Sequence, residues 1–471
     1  MTSLKFGTSG LRGLVTELLG LPTYSHVRAF CAMLREDGVA GDVLIGHDLR
    51  SSSPLIASQC AQAVADAGLV PIDCGAVPTP ALALAAMSAG SAAIMVTGSH
   101  IPDDRNGLKF YRAQGEIDKS DEQRILAEHA RLTLTEVPEA TVAPQTRDVL
   151  SGYRARYTAF FGRSLEGLTV GVYEHSSVGR DLICQVLAAL GAEPVSLGRS
   201  DRFIPVDTEA LRAEDEELAK GWAEQRDLDA IVSTDGDADR PLVADEAGRF
   251  LRGDLVGALT ARFLGADTIV TPVTSNSALD RAGLFQRVIR TKVGSPYVIA
   301  SMEEAKNGNA RIVIGFEANG GVLLGSDVER DGTVLPALPT RDALLPILAT
   351  LALSREEGRK LSEIADDARF AIALSNRLQE IPQDRTAALI ARLDADDAAF
   401  RNEAFAAHGG VAARDRRDGL RLTLGSGSTV HFRASGNAPE LRVYVEAHDL
   451  PAAERLMQEN LDFAAAHTRA H

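Results

Sequence analysis

The chain has 471 residues, of which 45% are hydrophobic and 24% charged, and its formal net charge is −16. A single domain commonly holds about 100 to 200 residues, so this length predicts about three or four domains. The negative charge disfavours binding to nucleic acid or to an anionic membrane, because the field of the whole molecule repels polyanions. An anionic substrate would therefore need a local array of cationic side chains and backbone N–H groups.

The first residues contain neither the basic and apolar segments of a secretory signal nor a run of about 18 apolar residues that would span a bilayer. We therefore expect a cytoplasmic protein with no membrane or nucleic-acid partner. The four cysteines, Cys31, Cys60, Cys74 and Cys184, form no CxxC pair, so neither a zinc site nor a redox site is indicated. Cys60 lies on the apolar side of a helical pattern, which predicts a buried structural thiol.

The residues from Asp42 to Gly75 have the pattern of a strand, a polar loop, an amphipathic helix and a second strand. The same order of elements returns from Gly167 to Gly198 and, in shorter form, from Asp267 to Val293. We therefore predict three related α/β domains with mixed sheets. The C-terminal part alternates like exposed antiparallel strands before a final helix, which predicts a domain of α+β type.

Changes in composition set the predicted domain boundaries, which lie within residues 138–147, 247–254 and 368–374. The predicted domains, arranged around a central active-site cleft, are residues 1–146, 147–250, 251–370 and 371–471. In open α/β sheets ligands bind outside the carboxyl ends of the strands. The loops that follow the apolar runs are therefore where chemistry is expected.

The first such loop follows the run AAIMV and presents Ser99 and His100 directly after a buried strand. Gly98 is expected to permit a tight turn there. A serine at a strand end is a candidate nucleophile, and a hydroxyl that caps a turn or helix is the alternative. The GxSxG signature of esterases is absent, which disfavours acyl transfer, whereas nearby cationic groups such as Lys109 favour phosphoryl chemistry.

The second loop places Asp235, Asp237 and Asp239 at alternate positions after the run LDAIVS. Carboxylate oxygens are the ligands that suit Mg²⁺, which predicts a magnesium site. A solvated acidic turn is the alternative, although clustered like charges after an apolar strand cost stability unless a cation offsets them. A calcium EF-hand is disfavoured, because Arg240 occupies the position of its sharp-turn glycine.

Two further loops carry groups suited to a sugar phosphate. Glu317 and Asn319 lie in a glycine-rich loop after a third apolar run, and both are good partners for sugar hydroxyls. In the last domain an arginine, a hydroxyl, an amide and backbone donors can hold a phosphate, in a loop that contains Arg433, Ser435, Gly436 and Asn437. An ordinary glycine-rich connection and a plain hairpin turn are the alternatives for these two loops.

Five motifs in order, FGTSGLRG, TGSHIP, DGDADR, GFEANGG and RASGNAPELR, resemble those of the α-D-phosphohexomutase superfamily over the whole chain. The resemblance implies that Ser99 is phosphorylated and that its phosphate joins the three aspartates around Mg²⁺. It also implies that Arg12, His100 and Lys109 flank the reacting oxygens, with Lys109 or Arg12 moving the hydroxyl proton. The resemblance assigns the remaining residues to the substrate, with Arg240 and Lys292 toward the sugar, Glu317 and Asn319 on its hydroxyls, and Arg433, Ser435, Gly436 and Asn437 on the phosphate that is not reacting.

The implied enzyme interconverts hexose 1-phosphate and hexose 6-phosphate through hexose 1,6-bisphosphate, which also serves as activator. Mannose phosphates are the preferred substrates and glucose phosphates the second choice, because TGSHIP and RASGNAPEL look closest to the phosphomannomutase branch. A phosphoglucosamine mutase, a Mg²⁺-dependent sugar phosphatase and a catalytically silent sugar-phosphate-binding protein are the alternatives. Ser295, Asn319 and Asn437 depart from the common motifs, which leaves the sugar preference open. Monomer and homodimer are both compatible with the sequence.

Overall fold

The computed structural model describes residues 4–7, 10–281, 283–395, 397–435 and 439–468. Each of the four units below is built on its own sheet. Among the described residues, no helix combines the length and the apolar character needed to cross a membrane.

The first unit contains five helices and the strands of the largest sheet. The helices are α1 (Val15–Leu18), α2 (Leu21–Glu36), α3 (Ser53–Asp66), α4 (Thr79–Ala89) and α5 (Lys119–Arg131). The strands are β1 (Lys5–Gly7), β2 (Gly10–Leu14), β3 (Asp42–His47), β4 (Val70–Ala76), β5 (Ala92–Val96), β6 (Arg105–Arg112), β7 (Gly115–Glu116) and β8 (Gln145–Thr146). The sheet order is β1-β2-β6-β5-β3-β4-β8, with β7 paired to β6. The predicted strand-helix-strand order from Asp42 is confirmed by β3, α3 and β4, and Cys60 is fully buried as expected.

The second and third units repeat this design. The second contains α6 (Leu150–Phe161), β9 (Thr169–Tyr173), α7 (Arg180–Ala189), β10 (Glu193–Leu197), α8 (Ala213–Gln225), β11 (Ala230–Thr234) and β12 (Pro241–Ala244). The third contains α9 (Gly253–Phe263), β13 (Thr268–Pro272), α10 (Ala278–Arg281), β14 (Arg287–Thr291), α11 (Ser295–Asn307), β15 (Val313–Phe316), β16 (Val322–Leu324), β17 (Val328–Arg330), β18 (Thr333–Leu335), β19 (Leu338–Asp342), α12 (Leu344–Glu357) and α13 (Leu361–Asp367). The β17 and β18 strands form a separate hairpin.

The three units share one strand order, β4-β3-β5-β6 in the first, β10-β9-β11-β12 in the second and β14-β13-β15-β16 in the third. In each case the first three strands are parallel and the last is antiparallel. The prediction of three related α/β domains with mixed sheets is therefore confirmed. The third strand of each set, β5, β11 or β15, leads into the loop in which chemistry was predicted.

The fourth unit has a purely antiparallel sheet and is of the predicted α+β type. Its elements are β20 (Ile372–Gln379), α14 (Gln383–Asp394), α15 (Ala398–Phe405), a 3₁₀ turn (Ala406–His408), β21 (Val411–Asp415), β22 (Leu420–Leu424), β23 (Thr429–Ala434), β24 (Glu440–Ala447) and α16 (Leu450–Thr468). The strand order is β20-β24-β23-β22-β21. This unit has its own apolar core, whereas one continuous apolar cluster joins the first three.

Candidate active site

Ser99 lies just after β5, and its own backbone makes the turn. Its φ of 54° is in the left-handed region, whereas Gly98 is not among the positive-φ residues, so the turn that was predicted at Gly98 is made one residue later. Gly98 is required for another reason, because a Cβ there would lie 2.5 Å from the guanidinium carbon of Arg50. That guanidinium donates to four backbone carbonyls of the same loop, those of Ser99, Ile101, Pro102 and Arg105.

The Ser99 hydroxyl meets the acidic loop of the second unit. It is buried, and its Oγ donates to Asp235 Oδ2 at 2.6 Å across 136 positions of sequence. Its Oγ also lies 3.1 Å from His100 Nδ1. The backbone N–H of Ser99 donates to Thr97 Oγ1 at 2.8 Å, which fixes the direction of the side chain. The structure therefore brings together a serine and an acidic loop that belong to different units.

Asp237 and Asp239 each use one oxygen to bind protein donors. Asp237 Oδ2 accepts from Lys109 Nζ at 2.6 Å and from Thr79 Oγ1 at 2.5 Å. Asp239 Oδ2 accepts from Lys109 Nζ at 2.7 Å and from Arg341 Nε at 3.1 Å. The second oxygens, Asp237 Oδ1 and Asp239 Oδ1, are buried without a hydrogen-bond partner, and Arg240 Nε lies 3.6 Å from Asp239 Oδ1.

These free oxygens fit a divalent cation. One carboxylate oxygen from each of Asp235, Asp237 and Asp239 lies within 4.8 Å of the other two. Burial, followed by the charges of Asp237 and Asp239, raises the pKa of Asp235 well above its ordinary value. An unpaired buried carboxylate oxygen is costly, and a hard cation with oxygen ligands removes that cost. The donor set therefore matches Mg²⁺.

Two side chains that were predicted to flank the reacting oxygens, Arg12 and His100, have lowered pKa values. Burial, then Arg240 and Arg341, lowers the pKa of Arg12 to about 10. Burial, then Arg240 and Arg12, lowers the pKa of His100 well below its ordinary value, so the imidazole is neutral at pH 7. Arg240 donates from NH1 to His100 Nδ1 at 3.0 Å, and this nitrogen must therefore be an acceptor.

Arg341 connects the loop after β15, which is predicted to bind the sugar (the sugar loop), with the acidic loop after β11, which is predicted to bind the cation (the metal loop). Arg341 lies 3.1 Å from Asp239 Oδ2 through Nε and 3.4 Å from Glu317 Oε2 through NH1. Asn319 is buried, and its Oδ1 accepts from the N–H of Gly321 at 3.0 Å, so the amide braces its own loop. Thr208 Oγ1 donates to the carbonyl of Asn319 at 2.9 Å.

Three of the remaining predicted residues, Lys292, Arg433 and Ser435, lie within the described part of the chain, in the third and fourth units. Arg433 Nε donates to Asp418 Oδ2 at 2.9 Å, and the same oxygen accepts from the N–H of Val293 at 3.0 Å. Lys292 is exposed beside this contact, and Ser435 is buried at the end of β23. Gly436 and Asn437 lie outside the described residues.

Four residues near the site were not predicted to belong to it, namely Arg50, Thr79, Glu116 and Arg341. Glu116 joins the first and third units, since its carboxylate accepts from Ser295 Oγ at 2.8 Å and from Thr340 Oγ1 at 3.0 Å. The hydroxyl of Ser295 is thus engaged by a neighbouring unit. Only Arg50 had a local signal in the sequence: it lies in the polar loop HDLR directly after the strand β3, where ligand-binding residues are expected.

The fold is that of the phosphohexomutases. A phosphoglucomutase/phosphomannomutase family protein from Burkholderia thailandensis superposes with a TM-score of 0.78 at 22% identity, covering 98% of this chain and 97% of its own. Two structures of Aspergillus fumigatus N-acetylphosphoglucosamine mutase have TM-scores of 0.60 and 0.57 at 15% and 14% identity, covering 99% and 96% of this chain and 96% and 98% of their own. The first is a complex with glucose 1,6-bisphosphate, and the second a complex with GlcNAc-6P and magnesium.

The chain belongs to the phosphoglucomutase/phosphomannomutase family. Models of this family's alpha/beta/alpha domain I, alpha/beta/alpha domain III and C-terminal domain match residues 3–136, 252–370 and 386–463. A phosphomannomutase of Sinorhizobium fredii is 50% identical over 97% of this chain and 98% of its own, and one of Salmonella muenchen is 43% identical over 95% and 92%. A phosphoglucosamine mutase of Symbiobacterium thermophilum is 28% identical over 96% of both chains.

Proposed function

We propose that this enzyme is a phosphohexomutase that interconverts mannose 1-phosphate and mannose 6-phosphate, with glucose phosphates as a second substrate pair. The observation that carries the proposal is the 2.6 Å hydrogen bond between the buried Ser99 hydroxyl and Asp235, in a cluster whose other two aspartates keep one free oxygen each. Family membership and the two phosphomannomutase relatives support the reaction and the sugar.

The three aspartates and a phosphate oxygen on Ser99 would hold Mg²⁺. When bound, the cation stabilises the charge that develops on the phosphoryl group during transfer. The magnesium and glucose 1,6-bisphosphate in the two Aspergillus fumigatus complexes are compatible with this assignment, and with the bisphosphate as the activator that loads Ser99.

The transfer exchanges one P–O bond for another. In the first step the bond between phosphorus and Ser99 Oγ breaks, and a new bond forms to O6 of the hexose 1-phosphate. The O6 proton passes to a base next to Ser99, for which Arg12, His100 and Lys109 are the candidates, and the base returns a proton to Ser99 Oγ as that oxygen leaves. The lone pair of His100 Nδ1, the ring atom 3.1 Å from Ser99 Oγ, already accepts from Arg240, which favours Arg12 or Lys109 as the proton acceptor.

The bisphosphate must then turn end for end before its other phosphate returns to Ser99. The terminal loop with Arg433, Ser435, Gly436 and Asn437 would bind whichever phosphate is not reacting, with Lys292 nearby. Glu317 and Asn319 would bind sugar hydroxyls in both orientations, with Arg240 toward the sugar. Water must be excluded throughout, because hydrolysis of the phosphoserine would leave the enzyme unloaded.

We also propose that the functional domains are residues 1–146, 147–250, 251–370 and 371–471. The sheets described above support this division, since β8 ends at Thr146 and no sheet crosses from one later range into the next: residues 147–250 and 371–471 contain one sheet each, and residues 251–370 contain a five-stranded sheet and the β17-β18 hairpin. We further propose that the enzyme is cytoplasmic and that it acts on soluble sugar phosphates as a monomer or a homodimer.

Replacing Ser99 tests the mechanism directly. Ser99→Ala removes the carrier oxygen, so turnover of mannose 1-phosphate should fall by about a thousandfold or more. The matched control is Ser58→Ala, because the Ser58 hydroxyl donates to Leu55 O of its own helix. Mass measurement of the peptide that contains residue 99 should find phosphate in the parent and in the control. Parental turnover by Ser99→Ala would contradict the phosphoserine mechanism.

Incubation with separate sugars distinguishes the alternatives. Mannose, glucose and glucosamine 1-phosphates, each with a trace of the matching bisphosphate, should be converted in the order mannose, glucose, glucosamine. Faster conversion of glucosamine 1-phosphate would favour a phosphoglucosamine mutase. Stoichiometric release of inorganic phosphate with no 6-phosphate product would favour a phosphatase, although Arg240 after Asp239 does not fit the phosphatase pattern DxDx[TV].

A further inference from the structure

Arg341 is a buried cation shared by two functional loops. It lies at the end of β19 with 6% of its surface exposed. Its Nε donates to Asp239 Oδ2 at 3.1 Å, and its NH1 lies 3.4 Å from Glu317 Oε2. One guanidinium therefore contacts a carboxylate of the proposed metal loop and a carboxylate of the proposed sugar loop.

The backbone that carries Arg341 is anchored by its neighbour. Asp342 is buried and accepts from the hydroxyls of Tyr153, at 2.6 Å, and Tyr157, both on α6. The same carboxylate accepts from the N–H of Leu344 at the start of α12, at 2.8 Å. Arg341 thus projects from a point held by the third unit and by α6, the first helix of the second unit.

The Arg341 side chain also lies against the sugar loop. A Cβ on Gly321 would lie 3.0 Å from Arg341 Cδ and 2.9 Å from the carbonyl oxygen of Asp239. Glycine at position 321 therefore allows the loop, the arginine and the metal loop to approach one another closely. A guanidinium presents its donors in a rigid plane, so it can contact two carboxylates at once in a way that a lysine ammonium does not reproduce.

We propose that Arg341 is a positioning residue. It holds Glu317 in the orientation that binds the sugar and Asp239 in the orientation that binds the cation, so that the two carboxylates are positioned together. By occupying Asp239 Oδ2 together with Lys109, it leaves Oδ1 as the oxygen without a hydrogen bond, with Arg240 Nε 3.6 Å away. By pairing with Glu317, it limits the directions in which that carboxylate can meet a hydroxyl. The inference rests on the proposed function, because it assigns Glu317 to the substrate.

A double-mutant cycle in binding tests the coupling without turnover. Calorimetry would measure the dissociation constant of mannose 1-phosphate for Arg341→Met, Glu317→Gln and the double variant, with Mg²⁺ present and Ser99 unphosphorylated. Each single change should weaken binding by about tenfold. The double variant should bind about as weakly as Glu317→Gln, because each change disrupts the same pair, Arg341 with Glu317. Losses that multiply to about a hundredfold would overturn the proposal.

Two further variants separate positioning from charge and from folding. Arg341→Lys keeps the charge and should restore the melting temperature without restoring affinity, and parental affinity in this variant would also overturn the proposal. Arg330→Met is the matched control, because Arg330 lies in the same unit and pairs with Glu356 away from the site. It should bind like the parent. A parent that neither binds nor converts any hexose phosphate would refute the proposed function, whereas multiplied losses in a working enzyme refute only the role of Arg341.

Discussion

At the scale of single residues, burial decides which groups carry charge. The metal loop keeps three aspartates buried because Lys109 and Arg341 compensate two of them and the backbone N–H groups of Asp239 and Arg240 donate to Asp235. Removing a buried partner from such a network leaves an uncompensated charge, which costs more than the pair itself contributes. Single substitutions in this cluster should therefore affect stability as well as catalysis.

A buried histidine of the fourth unit should make stability depend on pH. His431 donates from Nε2 to the carbonyl of Asp418 at 2.6 Å, and burial lowers its pKa from 6.5 to about 4. The unfolded chain thus binds this proton at higher pH than the folded chain. Its contribution to stability is complete above pH 6.5 and is lost as the pH falls toward 4, by about 3 kcal/mol in total.

His431→Gln keeps a donor for Asp418 but cannot titrate in this range. The variant should therefore lose less stability than the parent between pH 7 and pH 4.5, as measured by calorimetric unfolding at about five pH values. His448→Gln is the control, because the side chain of His448 is 80% exposed. A parallel pH dependence in the parent and in His431→Gln would contradict this account.

At the scale of elements, Arg50 holds the segment from Gly98 to Arg105 in addition to two hydrogen bonds within that segment, from Ile101 N–H to Gly98 O and from Arg105 N–H to Pro102 O, both at 3.1 Å. One buried guanidinium donates to four of its carbonyls, at 2.5 to 3.1 Å. The same side chain pairs with Asp48 at 3.3 Å and lies over the ring of Phe203. Loss of Arg50 would leave these carbonyls to be satisfied by water, which should loosen the loop that presents Ser99.

Arg50→Met should accordingly raise hydrogen exchange in residues 98–105 while leaving the exchange of β5 itself near the parental level. Turnover should fall by about tenfold to a hundredfold, because Ser99 Oγ would spend less time at its contact with Asp235. Exchange mass spectrometry and steady-state kinetics measure the two effects. Arg180→Met is a suitable control, since Arg180 donates to two carbonyls of the second unit at 2.7 and 2.8 Å. Unchanged exchange in the Ser99 loop would show that Arg50 does not hold it.

At the scale of the whole molecule, the fourth unit is attached differently from the others. It has its own apolar core, and hydrogen bonds link this part of the chain to the third unit, such as Asn276 Nδ2 to Ala371 O at 2.8 Å and Val293 N to Asp418 at 3.0 Å. Polar interfaces of this kind permit relative motion of domains. Because this unit would bind the non-reacting phosphate, its closure would complete the cleft and exclude water.

We therefore expect mannose 1-phosphate with Mg²⁺ to reduce the radius of gyration measured by X-ray scattering, as the fourth unit rotates inward. Arg433→Met should abolish most of this change, because its guanidinium would contact the phosphate. Arg385→Met, whose parent side chain donates to Thr468 O within the same unit, is the control that should still close. Identical scattering with and without saturating ligand would argue against the motion.

Much of the molecule could be predicted from contiguous residues. The repeated strand-helix-strand order established the fold class, since hydrophobic periodicity is a local property of the chain. Ser99 and the three aspartates were found because each lies in a short motif directly after an apolar strand. That they would meet was an expectation, and in the structure Ser99 Oγ lies 2.6 Å from Asp235 Oδ2.

The sequence alone thus determined the order of strands and helices in the repeated segments, the four-unit architecture and the loops in which chemistry is expected. Only the tertiary structure decided which partners complete those loops. Thr79 reaches Asp237 across 158 positions, and Arg341 reaches Asp239 across 102. These contacts depend on how separate units pack against one another, and a lone threonine or arginine in its own segment carries no local sign of such a partner.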